Sequence, residues 1–163
     1  MNPQRMPLSA RLFVALTMTV VMSACGGGET SGSTAPDPAG TVTSAIRIQG
    51  QGAFLIDFDT GAVTSTNNAG QPDMYVDTNV NFNVGVNFPP STPRRIADVG
   101  AVGGLGDVST LPTAGWVATS GTTVGHGYVL EDNAKHWRIY VSSLITAAGG
   151  GGVIGVNIKW APL

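Results

Sequence analysis

An all-β domain, an antiparallel β-sandwich or a small β-barrel, is the fold class this sequence predicts, and three observations predict it. Apolar and polar residues alternate with period two through most of the chain beyond residue 40. Clusters of Gly, Pro, Asn and Asp recur between the alternating runs. No segment after Ala24 holds a helical period for three turns. Regular short strands with turn signals between them fit a sandwich and a barrel equally well.

Strands are expected near residues 43–48, 53–59, 62–66, 73–78, 79–88, 94–99, 114–119, 123–131, 136–145 and 153–160. In the second, Phe54, Ile56 and Phe58 alternate with Leu55, Asp57 and Asp59. The fifth is the cleanest. Val80, Phe82, Val84, Val86 and Phe88 point one way and Asn79, Asn81, Asn83 and Asn87 the other, so one face is core and the other wet. Trp137, Ile139 and Val141 alternate with Arg138 and Tyr140; Ile154, Val156, Ile158 and Trp160 alternate with Gly155, Asn157 and Lys159. Each reads as a half-buried antiparallel strand. Asp-Thr-Gly, Asn-Asn-Ala-Gly, Pro-Pro-Ser-Thr-Pro and the Gly149–Gly152 run mark turns. Asp132–Lys135 closes the best hairpin, setting Tyr128 and Leu130 against Ile139 and Trp137.

Ahead of the strands come an address and a tether. Arg5 and Arg11 precede a weakly apolar run from Leu12 to Met22, and the small residues Ser23 and Ala24 stand before Cys25. A secretory signal has this form, and the run is short for a transmembrane span of about 20 residues. Met22-Ser23-Ala24-Cys25 resembles a bacterial lipobox, with Met22 where the pattern prefers Leu. The resemblance implies a signal peptide over residues 1–24, lipidation of Cys25 by a diacylglycerol and an N-terminal acyl chain, and the membrane as a partner. Several acyl chains anchor stably, each buried CH₂ contributing about 0.8 kcal/mol. Gly26 follows the cysteine where aspartate marks inner-membrane retention in enterobacteria, so the implied location is the bacterial cell envelope at the outer membrane. Residues 25–40 lack large apolar side chains and are expected to form a flexible linker reaching about 20 Å. Residues 41–163 are the size of one domain.

Cys25 is the only cysteine, so the domain has neither a disulfide nor a thiolate zinc site. Residues 41–163 carry six Lys/Arg and eight Asp/Glu with no basic patch, so nucleic acid is not an expected partner.

Asp59-Thr60-Gly61-Ala62 matches the active-site signature of aspartic proteases, and Val153-Ile154-Gly155-Val156-Asn157 looks like that family's later hydrophobic-hydrophobic-Gly element. Such enzymes pair two carboxylates around one proton, here by dimerisation through Asp59. The chain departs from the pattern. Asp57 falls where the family buries residues, and Val63 opens a strand where the family has a small polar residue. The expectation is therefore a hairpin corner, with Gly61 supplying positive φ and Asp59 accepting turn hydrogen bonds, and no enzyme. Asp57 to Gly61 also begins like a calcium loop, but Gly61, Ala62 and Asn68 occupy its fifth, sixth and twelfth positions. No resident metal is expected beyond a weak oxygen corner of Asp57 and Asp59.

His126 and His136 are the only histidines, and Gly125 and Gly127 leave room for close approach to the first. In outline the chain is similar to the HmuY-like haem-binding surface lipoproteins. The shared features are a lipobox, a short linker, the Phe58-Asp59-Thr60-Gly61 turn, Asp73-Met74-Tyr75, the aromatic hairpin from Gly127-Tyr128-Val129 to Trp137–Val141, and the terminal Trp160. Pro72-Asp73 stands where that family usually has Trp-Asp. The resemblance implies haem, with an axial ligand from His126, His136 or Met74. His126, His136, Met74 and Tyr128 are thus the candidate ligand-binding residues. The functional expectation is a lipid-anchored, non-enzymatic envelope domain that binds a small ligand, a surface polymer or another envelope protein. Haem binding is the alternative, and an Asp59-based dimeric protease the third. The Asn face of 79–88 and Tyr140 are the expected contact surfaces.

Overall fold

Alternation along the strands resolves into two facing sheets. The computed structural model describes residues 35–48, 54–64, 72–84 and 94–163. These residues form β1 (Val42–Arg47), β2 (Phe54–Asp57), β3 (Ala62–Thr64), β4 (Met74–Val76), β5 (Asn81–Asn83), β6 (Arg94–Ala101), β7 (Thr119–Gly121), β8 (His126–Asp132), β9 (Lys135–Thr146) and β10 (Val153–Pro162). One sheet has the order β1-β10-β9-β8-β6 and the other β3-β2-β4-β5-β7, with every pairing antiparallel. The sheets pack as a sandwich and do not close into a barrel. At one corner a single bridge, Ile96 to Val117, ties β6 to the segment entering β7.

The core between the sheets comes from the period-two faces. Tyr128, Leu130, Ile139, Val141, Val156 and Ile158 meet Ile56, Phe58, Met74, Val76 and Phe82, all at 1% exposure or less. Each such side chain contributes on the order of 1.5–3 kcal/mol by leaving water. The β8–β9 register sets Tyr128 opposite Ile139 and Leu130 opposite Trp137, as the alternation predicts. Asn133 and Ala134 turn this hairpin at φ 48° and 66°, and two consecutive positive φ values match the twist of the flanking strands.

Two expected strands differ from those formed. Residues 79–88 are not one strand, because Val80 has φ 61° and β5 begins only at Asn81. The Asp77 carboxylate imposes this corner, accepting the backbone N–H groups of Asn79 and Asn81 and the side-chain amides of Asn81 and Asn83. The asparagine face is therefore not simply wet: Asn83 is 4% exposed and its Oδ1 accepts the Thr119 hydroxyl at 2.6 Å. The strand expected at 114–119 forms instead at Thr119–Gly121, pairing with β5. The turn signals at 67–70 and 89–93 lie outside the described residues.

A third layer covers part of the outer face of the β8-containing sheet. Leu105, in the 3-10 turn Leu105–Asp107, and Val108 are buried there rather than in the central core. A side chain at Gly127 would collide with Val108, Val99 and Val102, so glycine admits this strap onto the sheet. Gly106 in turn lies against the backbone of Ala35 and Pro36, and Lys159 Nζ meets Asp37 at 2.6 Å. Part of the segment expected as linker thus lies against the domain.

Candidate functional site

At one end of the sandwich the Asp-Thr-Gly corner borders an open groove. The turn joining β2 to β3 forms because Asp57 accepts twice: its carbonyl takes the Gly61 N–H at 2.8 Å and its Oδ1 the Thr60 N–H at 2.9 Å. Gly61 has φ 75°, a conformation that side chains resist. The expected corner is present, but Asp57 accepts the turn bonds assigned to Asp59. Asp59 points outward instead and grips Lys135 Nζ at 2.6 and 2.8 Å. That bond holds the Lys135 ammonium pKa above its usual value.

Behind this corner three aromatic rings pack on one another. Phe58 stacks on Trp137 with centroids 5.8 Å apart and meets Trp160 edge-on at 4.9 Å, while the two tryptophans cross at 5.7 Å. Such contacts each contribute about 0.5–1.5 kcal/mol beyond area burial. The rings back a groove of about 320 Å³, bordered by Asp59, Thr60, Gly61, Val42, Pro162 and the Ala39–Gly40 backbone. The arrangement offers an apolar floor bordered by a half-exposed carboxylate, Asp59, that is paired with Lys135.

Beneath the groove lies a group of charges that sequence reasoning missed. Asp73, 5% exposed, accepts the Phe58 N–H on Oδ2 at 2.7 Å and shares the neighbourhood of Arg94 with Asp132. Arg94 Nε stands 2.9 Å from Asp132 Oδ1, its Nη2 3.9 Å from Asp73 Oδ1, and its Nη1 donates to the Pro72 carbonyl at 2.6 Å. Burial, then the neighbouring Asp132 carboxyl, pushes the Asp73 carboxyl up to about 7. Asp132 is also desolvated, but Arg94 and Asp73 beside it outweigh that and hold it below the usual carboxylate range.

The residues singled out in sequence are not brought together. Met74 has no exposed surface and sits in the core. Tyr128 is equally buried, donating its hydroxyl to the Gly121 carbonyl at 3.0 Å, accepting the Thr123 N–H at 2.8 Å, and meeting Phe82 edge-on. His126 is part-exposed with Nδ1 3.0 Å from Asp98 Oδ2. His136 faces away from the core, its Nε2 3.1 Å from a Glu131 carboxylate that also receives Arg95 in a two-bond fork. Arg95 in turn lies over the Trp116 ring at 4.6 Å. His136 pairs with Glu131, five residues along β8 from His126, which separates the histidines by roughly 17 Å at about 3.4 Å per residue. They do not share one metal. Among the described residues no group of three or more His, Cys, Asp or Glu side chains is arranged to hold a metal ion. Tyr140 is half-buried rather than fully exposed. Cys25 lies outside the described residues, and no helix among those described is long and apolar enough to cross a membrane.

No family model and no curated protein matches this chain.

Proposed function

We propose that the protein is a lipid-anchored, non-enzymatic binding domain of the bacterial cell envelope, and that its ligand occupies the groove at the Asp-Thr-Gly corner. The lipobox-like Met22-Ser23-Ala24-Cys25 supports the anchor. One observation supports the site: an open groove of about 320 Å³ backed by Phe58, Trp137 and Trp160 and bordered by Asp59, whose carboxylate is paired with Lys135. Ligand sites usually combine apolar walls with a few placed polar groups in a volume of about 300–1,000 Å³. A border whose one carboxylate is already offset by a lysine favours a neutral ligand bearing hydroxyls over a charged one. A saccharide unit, with an apolar ring face and hydroxyl edges, has that chemistry.

Tryptophan fluorescence of the purified chain, titrated with neutral oligosaccharides, tests the site. A saturable change that Asp59→Ala weakens at least tenfold is the expected result; no change with any oligosaccharide removes the saccharide reading. A hemin titration distinguishes the alternative, because a saturable Soret shift lost in His126→Ala or His136→Ala would replace the groove with a haem site. Cys25→Ser is expected to release the protein from membranes and abolish acyl labelling. Membrane retention unchanged by that substitution would refute the anchor.

A further inference from the structure

We propose that Asp73 and Asp132 form a proton-held latch that ties the two sheets together beneath the groove and controls how firmly its aromatic floor is closed. The latch takes its biological purpose from the groove being the ligand site, but its physics and its test stand without any ligand.

Asp73 leads into β4 on one sheet, whereas Arg94 on β6 and Asp132 on β8 belong to the other. Both carboxyl groups face one guanidinium, Arg94 lying 2.9 Å from Asp132 Oδ1 and 3.9 Å from Asp73 Oδ1, so the buried group is neutral only when the two hold one proton between them. With that proton in place, the single negative charge of the pair faces the single positive charge of Arg94, and the buried group is neutral. The remaining charges nearby are Lys135, on β9, and Asp59, on the β2–β3 turn, and these satisfy each other at 2.6 Å. Loss of the proton therefore leaves two anions facing one guanidinium, in a site where Asp73 is only 5% exposed. Like charges held this close in poor solvent repel strongly, so the carboxylates must separate or admit water.

Movement of Asp73 has a defined consequence. Its Oδ2 carries the Phe58 N–H at 2.7 Å, and Phe58 supports both Trp137 and Trp160. The carboxyl that leaves its partner also releases the backbone of the residue at the centre of the groove floor. Arg94 couples the same event to the strand entry, since its Nη1 holds the Pro72 carbonyl one residue before Asp73. The shared proton thus keeps the groove end assembled on the acid side, and its loss loosens that end on the alkaline side. The upward displacement of Asp73 to about 7 places this change near neutral pH.

The test uses the full-length chain, isotopically labelled in detergent, with no ligand, between pH 5 and 9. NMR would follow the Asp73 carboxyl carbon, the Trp137 and Trp160 indole N–H signals, and Phe58 amide exchange. The expected result is one midpoint near 7 shared by the carboxyl and both indoles, with Phe58 exchange at least tenfold faster above it after correction for the intrinsic pH dependence. Asp73→Asn leaves every other titratable group in place and should abolish the shared indole transition. An Asp73 midpoint near 4, or indoles that ignore the Asp73 transition, overturns the latch. The wild-type titration decides alone if the variant fails to fold. Failure of every oligosaccharide to bind would leave this result standing, so the two readings fail separately.

Discussion

Replacing Asp73 with asparagine should change the slope of stability against pH more than stability itself. Asparagine keeps the shape of a protonated aspartic acid: its oxygen can accept the Phe58 N–H, and its amide is uncharged as the protonated carboxyl is. In the wild type, the folded Asp73 is raised from 3.8 to about 7. Between those values the folded chain holds a proton that the unfolded chain has lost. The resulting stabilisation is fully present below the unfolded value and is lost as pH rises through 7. Asp132 runs the other way, its lowered pKa adding stability above the ordinary carboxylate range that is lost as pH falls through the depressed value. One proton held across a pH unit is equivalent to at most about 1.4 kcal/mol. The wild type should therefore lose on the order of 2–4 kcal/mol from pH 5 to pH 8 through this pair. Asp73→Asn should match the wild type within about 1 kcal/mol at pH 5 and exceed it by about 2 kcal/mol or more at pH 8. Urea unfolding followed by tryptophan fluorescence at fixed ionic strength measures both, provided the m-value stays constant. Parallel profiles for the two proteins across this window would refute the shared proton.

Other substitutions probe the corners that build the site. Gly61→Ala should cost about 1–2 kcal/mol in urea unfolding. The added Cβ lies an ordinary 3.8 Å from Trp160, so φ 75° supplies the cost, and an unchanged midpoint would contradict it. Gly127→Ala brings a Cβ to 2.5 Å from Val108 and 3.0 Å from Val99. It should lose about 1–3 kcal/mol and raise amide exchange across residues 102–108, and unchanged protection there would show that the strap is not held at this point. Asp77→Ala removes the acceptor that four N–H donors share, of which Asn83 Nδ2 alone keeps a second partner, the Asn81 carbonyl. A loss of about 2–3 kcal/mol at neutral pH is expected. Although burial pushes Asp77 up, its bonds to Asn81, Asn83 and Asn79 hold it lower, so the wild-type advantage is present above the unfolded pKa and disappears as pH falls through the folded one. An advantage that persists in acid would refute that origin.

What could be read from sequence was local, and what could not was made by the meeting of the two sheets. The β8–β9 pairing was legible because alternation and the Asp132–Lys135 turn both act within one hairpin and agree on the register. The same alternation misled at Val80. Its apolar period continues through a residue at φ 61°, and the cause is an acceptor three residues earlier that hydrophobicity does not encode. Asp-Thr-Gly was legible as a corner, since Gly61 announces a positive φ, yet not as the edge of an aromatic groove. That groove requires β9 and β10 to bring Trp137 and Trp160 up to Phe58. The carboxylate in the motif, Asp59, remains half-exposed beside Lys135. The carboxyl with unusual chemistry is Asp73, outside the Asp-Thr-Gly signature, and its proton depends on Asp132 and Arg94 arriving from the opposite sheet. A motif names a residue type at a spacing. Desolvation and a shared proton belong to tertiary structure, so the search for reactive carboxyls in such a chain has to follow burial rather than signature.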